Sequence, residues 1–266
     1  MRWKFILGLL TICAVLMSMS YTMLIPFLPM YLIQDLGVVK ADVDMWSGAI
    51  FAITFLVSGI MAPIWGALAD KKSRKLMALR AGFCLAITYF LGGLVTNPWE
   101  LLGVRFIQGL SAGLWPALLA IISVESPKLK LGFCMGVMQG VMTAGGVLGP
   151  LFGGLLADQF GMRMAFFIAA AALFLITLAL LFFVKEEPRK PDPNAKPVKI
   201  WDFSLCKIPA VKRMLICAGV VQLTILMQQP IMPLYVAELQ GSMERIVLIS
   251  GIVFSVTGIS GVLASP

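Results

Sequence analysis

Apolar residues run in long uncharged blocks along this chain, and charges gather in the short gaps between them. The blocks are 5–34, 45–69, 81–99, 106–124, 131–157, 164–184, 214–237 and 246–266. Each is near or above the roughly 20 residues that a helix needs to cross about 30 Å of hydrocarbon. The third is expected to begin nearer Leu76 and the fourth nearer Leu101. A bilayer offers no water to backbone N–H and C=O groups, so blocks of this length are expected as helices. The pattern therefore predicts an all-α membrane protein. A six-helix bundle occupies residues 1–184, a basic linker 185–213, and a seventh helix with the start of an eighth 214–266. The first block follows "MRWK", exceeds a signal-peptide core in length and is read as a retained span.

Composition agrees. Hydrophobic residues make up 60% of the chain and charged residues 13%, with mean hydropathy +0.95; soluble domains carry about a quarter charged residues. A net charge of +8 invites a nucleic-acid partner, but the positions of the charges point elsewhere. With the N-terminus inside, the inner segments hold sixteen Lys and Arg and the outer segments three, Lys40, Arg163 and Arg245. That asymmetry predicts a cytoplasmic N-terminus and anionic headgroups as partners of the charge, with no nucleic acid. The chain has no His, its five Cys lack metal-ligand spacing, and no phosphate-binding G-x-x-x-x-G-K-[ST] loop is present. No enzymatic chemistry, metal or cofactor is expected. Residues 185–213, rich in Pro and Lys, read first as a flexible linker; Trp201, Phe203, Leu205 and Ile208 among lysines fit an interfacial segment or a solvated loop.

The chain also repeats itself. "PFLPMY" at Pro26–Tyr31 returns as "PIMPLY" at Pro230–Tyr235, an offset of 204. Residues 47–63 align with 250–266 at an offset of 203, sharing Ser, Gly, Phe, Thr and a final Pro. Helix seven thus echoes helix one and helix eight echoes helix two, as expected for two six-helix halves. The chain ends where its second copy of "IWGALADKK" would begin, so it is expected to be truncated within helix eight.

Three stretches carry candidate chemistry. In "GALADKKSRKL", Asp70 sits at a helix C-terminus, where the dipole is already negative, and requires a positive partner. A basic inner loop with one stray acid is the plainer explanation. In "LLGVRFIQGLSAG", Arg105 lies about five residues, roughly 7 Å, from the outer end of its span; it either snorkels outward or faces a cavity. In the fifth span, Gly132, Gly136, Gly140 and Ala144 form one small-residue stripe. Gly145, Gly149, Gly153 and Ala157 form a second, interrupted by Pro150. Generic close packing explains the stripes but not "GPLFGG".

These stretches resemble the major facilitator superfamily. Gly66, Asp70, Lys71, Arg74 and Lys75 match its loop between helices two and three, G-x-L-A-D-[RK]-x-G-R-[RK], with Ser73 in place of a Gly. If that position needs a positive φ, Ser73 strains the turn. Leu101, Arg105, Gln108, Gly109 and Ala112 resemble the fourth-helix motif. Gly145, Gly149, Pro150, Gly153 and Gly154 resemble the fifth-helix motif of drug:proton antiporters, and Pro26 and Pro29 the first-helix motif of their twelve-helix branch. The stretch around helix two is similar to bacterial multidrug resistance proteins of the MdtG type.

The resemblance implies a multi-pass transporter of the bacterial inner membrane. It would export amphipathic small molecules in exchange for protons by alternating access, with the proton gradient as driving force. Asp70 and its basic neighbours would latch an inner gate, Arg105 and Gln108 would face the cavity, and the fifth-helix motif would pack on helix eight and seal the outer side. Two departures stand beside it. No acid lies mid-membrane, Asp35 at the outer end of span one being offered as a partner for Arg105. The missing helices leave open a truncated, non-transporting membrane fragment, and the fold alone leaves open uptake of a sugar or other nutrient. Expected cavity-lining residues are Tyr21, Thr22, Thr54, Gln108, Gln139, Gln222, Gln228 and Gln229, with Phe51, Phe55 and Trp115 as stacking faces.

Overall fold

The computed structural model describes residues 2–24, 26–71, 73–184 and 208–240, with 249, 251–253 and 256 beyond them. Most of the linker and of helix eight lies outside the described residues.

The first block forms two helices, α1 (Arg2–Thr22) and α2 (Leu28–Gln34). Proline cannot donate a backbone hydrogen bond. Pro26 and Pro29 remove two donors three residues apart, and the chain turns at Pro26 and Phe27 before α2 starts with Pro29 in its first turn. The second block is α3 (Val43–Lys71), which continues through Pro63. The third is α4 (Arg74–Leu94). The fourth is again two helices, α5 (Pro98–Leu110) and α6 (Leu114–Glu125), separated at Gly113, whose φ is +120°. Then come α7 (Leu131–Phe160), α8 (Met162–Phe183) and α9 (Pro209–Gln240). Counting α5 and α6 as one span, six helical segments among the described residues are long and apolar enough to cross a membrane.

The second Pro phrase behaves differently from the first. Pro230 and Pro233 lie within α9, whose backbone stays helical from Pro209 to Gln240. The helix also starts at Pro209, inside the stretch assigned to the linker.

Three helix pairs dominate the bundle: α4 with α8, α1 with α7, and α3 with α5. Each pair closes over glycine. A Cβ built on Gly93 of α4 would stand 2.8 Å from the Phe167 ring of α8, and one on Gly145 of α7 would stand 2.8 Å from Val15 O of α1. Lipid tails are as apolar as leucine, so close backbone approach and hydrogen bonds hold such helices together. Ser18 Oγ donates to Met142 O at 2.7 Å, and Thr22 Oγ1 to Gly145 O at 3.4 Å, both from α1 to α7. Tyr31, Tyr89 and Phe27 are fully buried at the centre. Phe174, Phe182 and Phe183 of α8 are exposed, as lipid-facing residues should be. Helix α9 docks mainly on α2, with Val236 against the core.

Candidate functional site

Arg105 projects from α5 into the bundle and is 6% exposed, which rules out snorkelling. Its Nη1 donates to Gln108 Oε1 at 3.0 Å, one helical turn on, and its guanidinium lies 5.9 Å from the Phe166 ring. Tyr89 and Tyr21 stand within electrostatic reach of it. Gln108 Nε2 and Tyr89 Oη are buried close to each other, and neither has another hydrogen-bond partner among the described residues. The site is therefore a buried cation beside a small polar cluster.

Asp35 does not pair with Arg105. Its carboxylate meets Arg163 Nε at 3.4 Å, where α2 ends and α8 begins. Burial pushes the Asp35 carboxyl above its ordinary pKa, and Arg163 opposes the shift. Removing Arg163 should raise it further. The folded state then holds a proton that the unfolded chain releases, so stability falls as pH rises from about 4. Thermal midpoints of Arg163→Gln should decline with pH in that window more steeply than wild type.

A cavity of about 190 Å³ lies among α1, α3, α4, α5, α6 and α7. Tyr21, Thr54, Phe55, Gln108 and Trp115 line it, as expected from the sequence. Arg105 does not line it and is joined to it by its hydrogen bond to Gln108. Phe51 stacks on Phe55 at 6.5 Å. Thr22 bonds instead to Ser18 O and Gly145 O, and Gln139 is exposed. The side chains of Gln222, Gln228 and Gln229 lie outside the described residues. Gly109 is a packing residue: a Cβ there would stand 2.8 Å from Thr54 O and from Val57 Cβ.

The break in the fourth span forms one wall of the cavity, and two side chains hold it. Trp65 Nε1 donates to Leu110 O at 2.8 Å, and Arg80 Nη2 to Ala112 O at 2.9 Å. The Arg80 guanidinium sits 3.4 Å above the Trp65 ring. Arg80 was not singled out from the sequence. The available signal was a lone charge between a basic loop and an apolar run, opposite a Gly-x-x-Pro stretch at Gly113–Pro116.

At the inner-loop motif, Asp70 and Lys71 end α3, with side chains outside the described residues, as is Lys72. Gly66 is exposed, with open space around it. Ser73 has φ −81°, so no positive φ strains that position. Its hydroxyl caps α4 by accepting from Leu76 N at 3.0 Å. Ser73→Ala should cost about 0.5–2 kcal/mol and Ser73→Gly only a few tenths, read as shifts in thermal midpoint. Arg74 is half-buried at the start of α4. Lys75 Nζ donates to Leu181 O at 2.7 Å, placing its charge at the C-terminus of α8, where the dipole favours a cation.

The fifth-helix motif faces two ways. Gly145 and Gly149 are buried against Ser18, Met19 and Thr22 of α1, and Gly153 against Met23 just beyond it. Pro150 meets helix eight: a Cβ on Gly251 would stand 2.5 Å from Pro150 O. Gly154 is buried beside them. The other stripe, Gly132, Gly136 and Gly140, is exposed, and a Cβ built on any of them would meet nothing within 4 Å. Pro26 and Pro29 are buried at the break between α1 and α2.

The family model described as Major Facilitator Superfamily matches residues 10–266. The chain belongs to the Major Facilitator Superfamily. Within that superfamily, the multidrug resistance protein MdtG of Citrobacter koseri is 37% identical over all of this chain and 66% of its own length. MdtG of Yersinia enterocolitica is 35% identical, with 64% of its length covered. The chain thus spans slightly less than two thirds of these relatives. Among solved structures, the nucleoside transporter NupG matches 97% of the chain and 66% of its own at TM-score 0.80 and 18% identity. A bacterial homologue of the lysosomal transporter Spinster, inward-facing and unoccupied, matches 77% of this chain and 48% of its own at TM-score 0.61 and 23% identity. At these identities the structures establish the superfamily fold alone. The chain is a multi-pass membrane protein of a transporter superfamily.

Proposed function

We propose that the whole protein exports amphipathic small molecules across the bacterial inner membrane by alternating access, in exchange for protons, with its N-terminus in the cytoplasm. The observation that carries this reading is the cavity, about 190 Å³, whose walls combine Phe55 and Trp115 with the polar ends of Tyr21, Thr54 and Gln108. Apolar walls with few polar groups suit small amphipathic ligands. The names of the 35–37% identical relatives support the same substrate class. Asp70, Lys71, Arg74 and Lys75 would form the inner gate, and the fifth-helix motif would set how α1 and helix eight meet on the two faces of α7.

The test is dye retention in cells. Cells expressing the intact gene should retain less rhodamine 6G than vector controls, and a protonophore should abolish the difference. Equal retention in both would count against export, and export that persists under the protonophore would count against proton coupling.

A further inference from the structure

The break in the fourth span leaves a carbonyl that the backbone cannot serve. In a continuous helix Ala112 O would accept from the N–H of residue 116. That residue is Pro116, which has none. Gly113, at φ +120°, turns the chain at the same point, and α6 starts afresh at Leu114. An unpaired carbonyl inside a membrane bundle is costly. Here Arg80 Nη2 reaches it from α4 at 2.9 Å, and Trp65 of α3 serves the neighbouring Leu110 O at 2.8 Å. The two side chains also brace each other, with the guanidinium 3.4 Å from the indole.

We propose that Arg80, stacked on Trp65, is a positioning residue for the transport cavity: it gives Ala112 O the donor that Pro116 lacks, and so sets the angle at which α6 leaves the break. Ser111, Ala112, Gly113, Leu114, Trp115 and Pro116 all line the cavity, so that angle shapes one of its walls. A neutral donor would satisfy the carbonyl. A planar cation also grips the ring of Trp65, and so ties α3, α4 and the break together. Its Nε has no partner among the described residues, so one hydrogen bond and one stacked face hold the group.

The inference rests on the export reading only where it concerns ligand binding, and the experiment separates the two. The full chain in lipid nanodiscs is compared with Arg80→Ala and Arg80→Lys. In the first arm, hydrogen exchange is followed at the break and in α8. Arg80→Ala should speed exchange across Ser111–Trp115 about tenfold, as expected for loss of one charge-assisted hydrogen bond. α8 should not change, and Arg80→Lys, which still reaches the carbonyl, should recover most of the protection. Unchanged exchange at the break, or equal acceleration in α8, overturns the proposal. In the second arm, affinities for rhodamine 6G and for the smaller ethidium are compared. A wall that shifts should change their ratio at least about threefold, whereas general destabilisation lowers both alike. An unchanged ratio overturns the cavity role. If wild type binds neither dye, the export reading falls and the exchange arm alone decides Arg80. If Arg80→Ala fails to accumulate, Arg80→Met, which fills the space but has no donor, carries the test: it must speed exchange at the break and alter the dye ratio, and failure of either overturns the proposal.

Discussion

Replacing Gly149 with Val should remove most of the folded protein from the membrane, while Gly140→Ala should leave accumulation at or above wild type. Both glycines lie on α7, nine residues apart, and composition gives no reason to treat them differently. The difference is in what each faces. A Cβ on Gly149 would stand 2.9 Å from Met19 O and on top of the Thr22 hydroxyl of α1. Backbone cannot rotate aside, and Thr22 is tied to Ser18 O at 2.8 Å. Val must therefore drive α1 from α7, breaking the bond from Thr22 to Gly145 O and the 2.7 Å bond from Ser18 to Met142 O. Overpacking costs about 1–3 kcal/mol and sometimes more, and this site allows no relaxation short of helix separation. Folded proteins have only about 5–15 kcal/mol in reserve. At Gly140 a Cβ meets nothing within 4 Å, and Ala is the better helix former by about 1 kcal/mol. Membrane accumulation and thermal midpoint in detergent measure both. Equal behaviour of the two variants would mean that the close approach of α1 to α7 does not hold the bundle together.

The same glycines show how far the sequence could be read. Spacing of four residues revealed two small faces on α7, and the runs between charges revealed each span. Those are local properties of one helix. Which helix fills a face is a tertiary fact: Gly145 and Gly149 meet α1, Gly153 meets Met23 just after it, and Gly251 approaches Pro150 and Leu151. Prolines were similarly half legible. Pro26 and Pro29 interrupt their helix, but Pro230 and Pro233, at the same spacing, do not interrupt α9. Ser73 was a suspected source of strain because a family pattern has Gly there; its φ of −81° makes it an N-cap. Arg80 stayed hidden because its partner is a main-chain oxygen freed by a break elsewhere, and no side-chain pattern marks such an acceptor. Arg105 stood out as a lone charge in an apolar run and Gln108 through the fourth-helix motif, but that Arg105 lies behind Gln108, off the cavity lining, was not readable.

Arg105→Met should leave the fold nearly as stable as wild type and reduce export to the level of vector controls. Two opposing terms set the stability. Arg105 is buried with no carboxylate partner among the described residues, and a cation in that position costs up to roughly 2.5–3.5 kcal/mol on insertion scales. Its removal lifts that cost. It also strands Gln108 Oε1, which accepts from Nη1 at 3.0 Å, for about 1–3 kcal/mol. The terms are of similar size and opposite sign, so the thermal midpoint should move little. A charge that does not stabilise the bundle, held beside Gln108 and Tyr89, is expected to serve the proposed transport cycle. Arg105→Lys sharpens the test. Lysine keeps the charge but offers a compact ammonium in place of a planar fork, so it should retain the fold and recover only part of the export. Dye retention in cells measures export, and detergent melting measures stability. Export undiminished in Arg105→Met, or a collapse of its thermal midpoint with export lost in proportion, would show that the arginine is a structural prop.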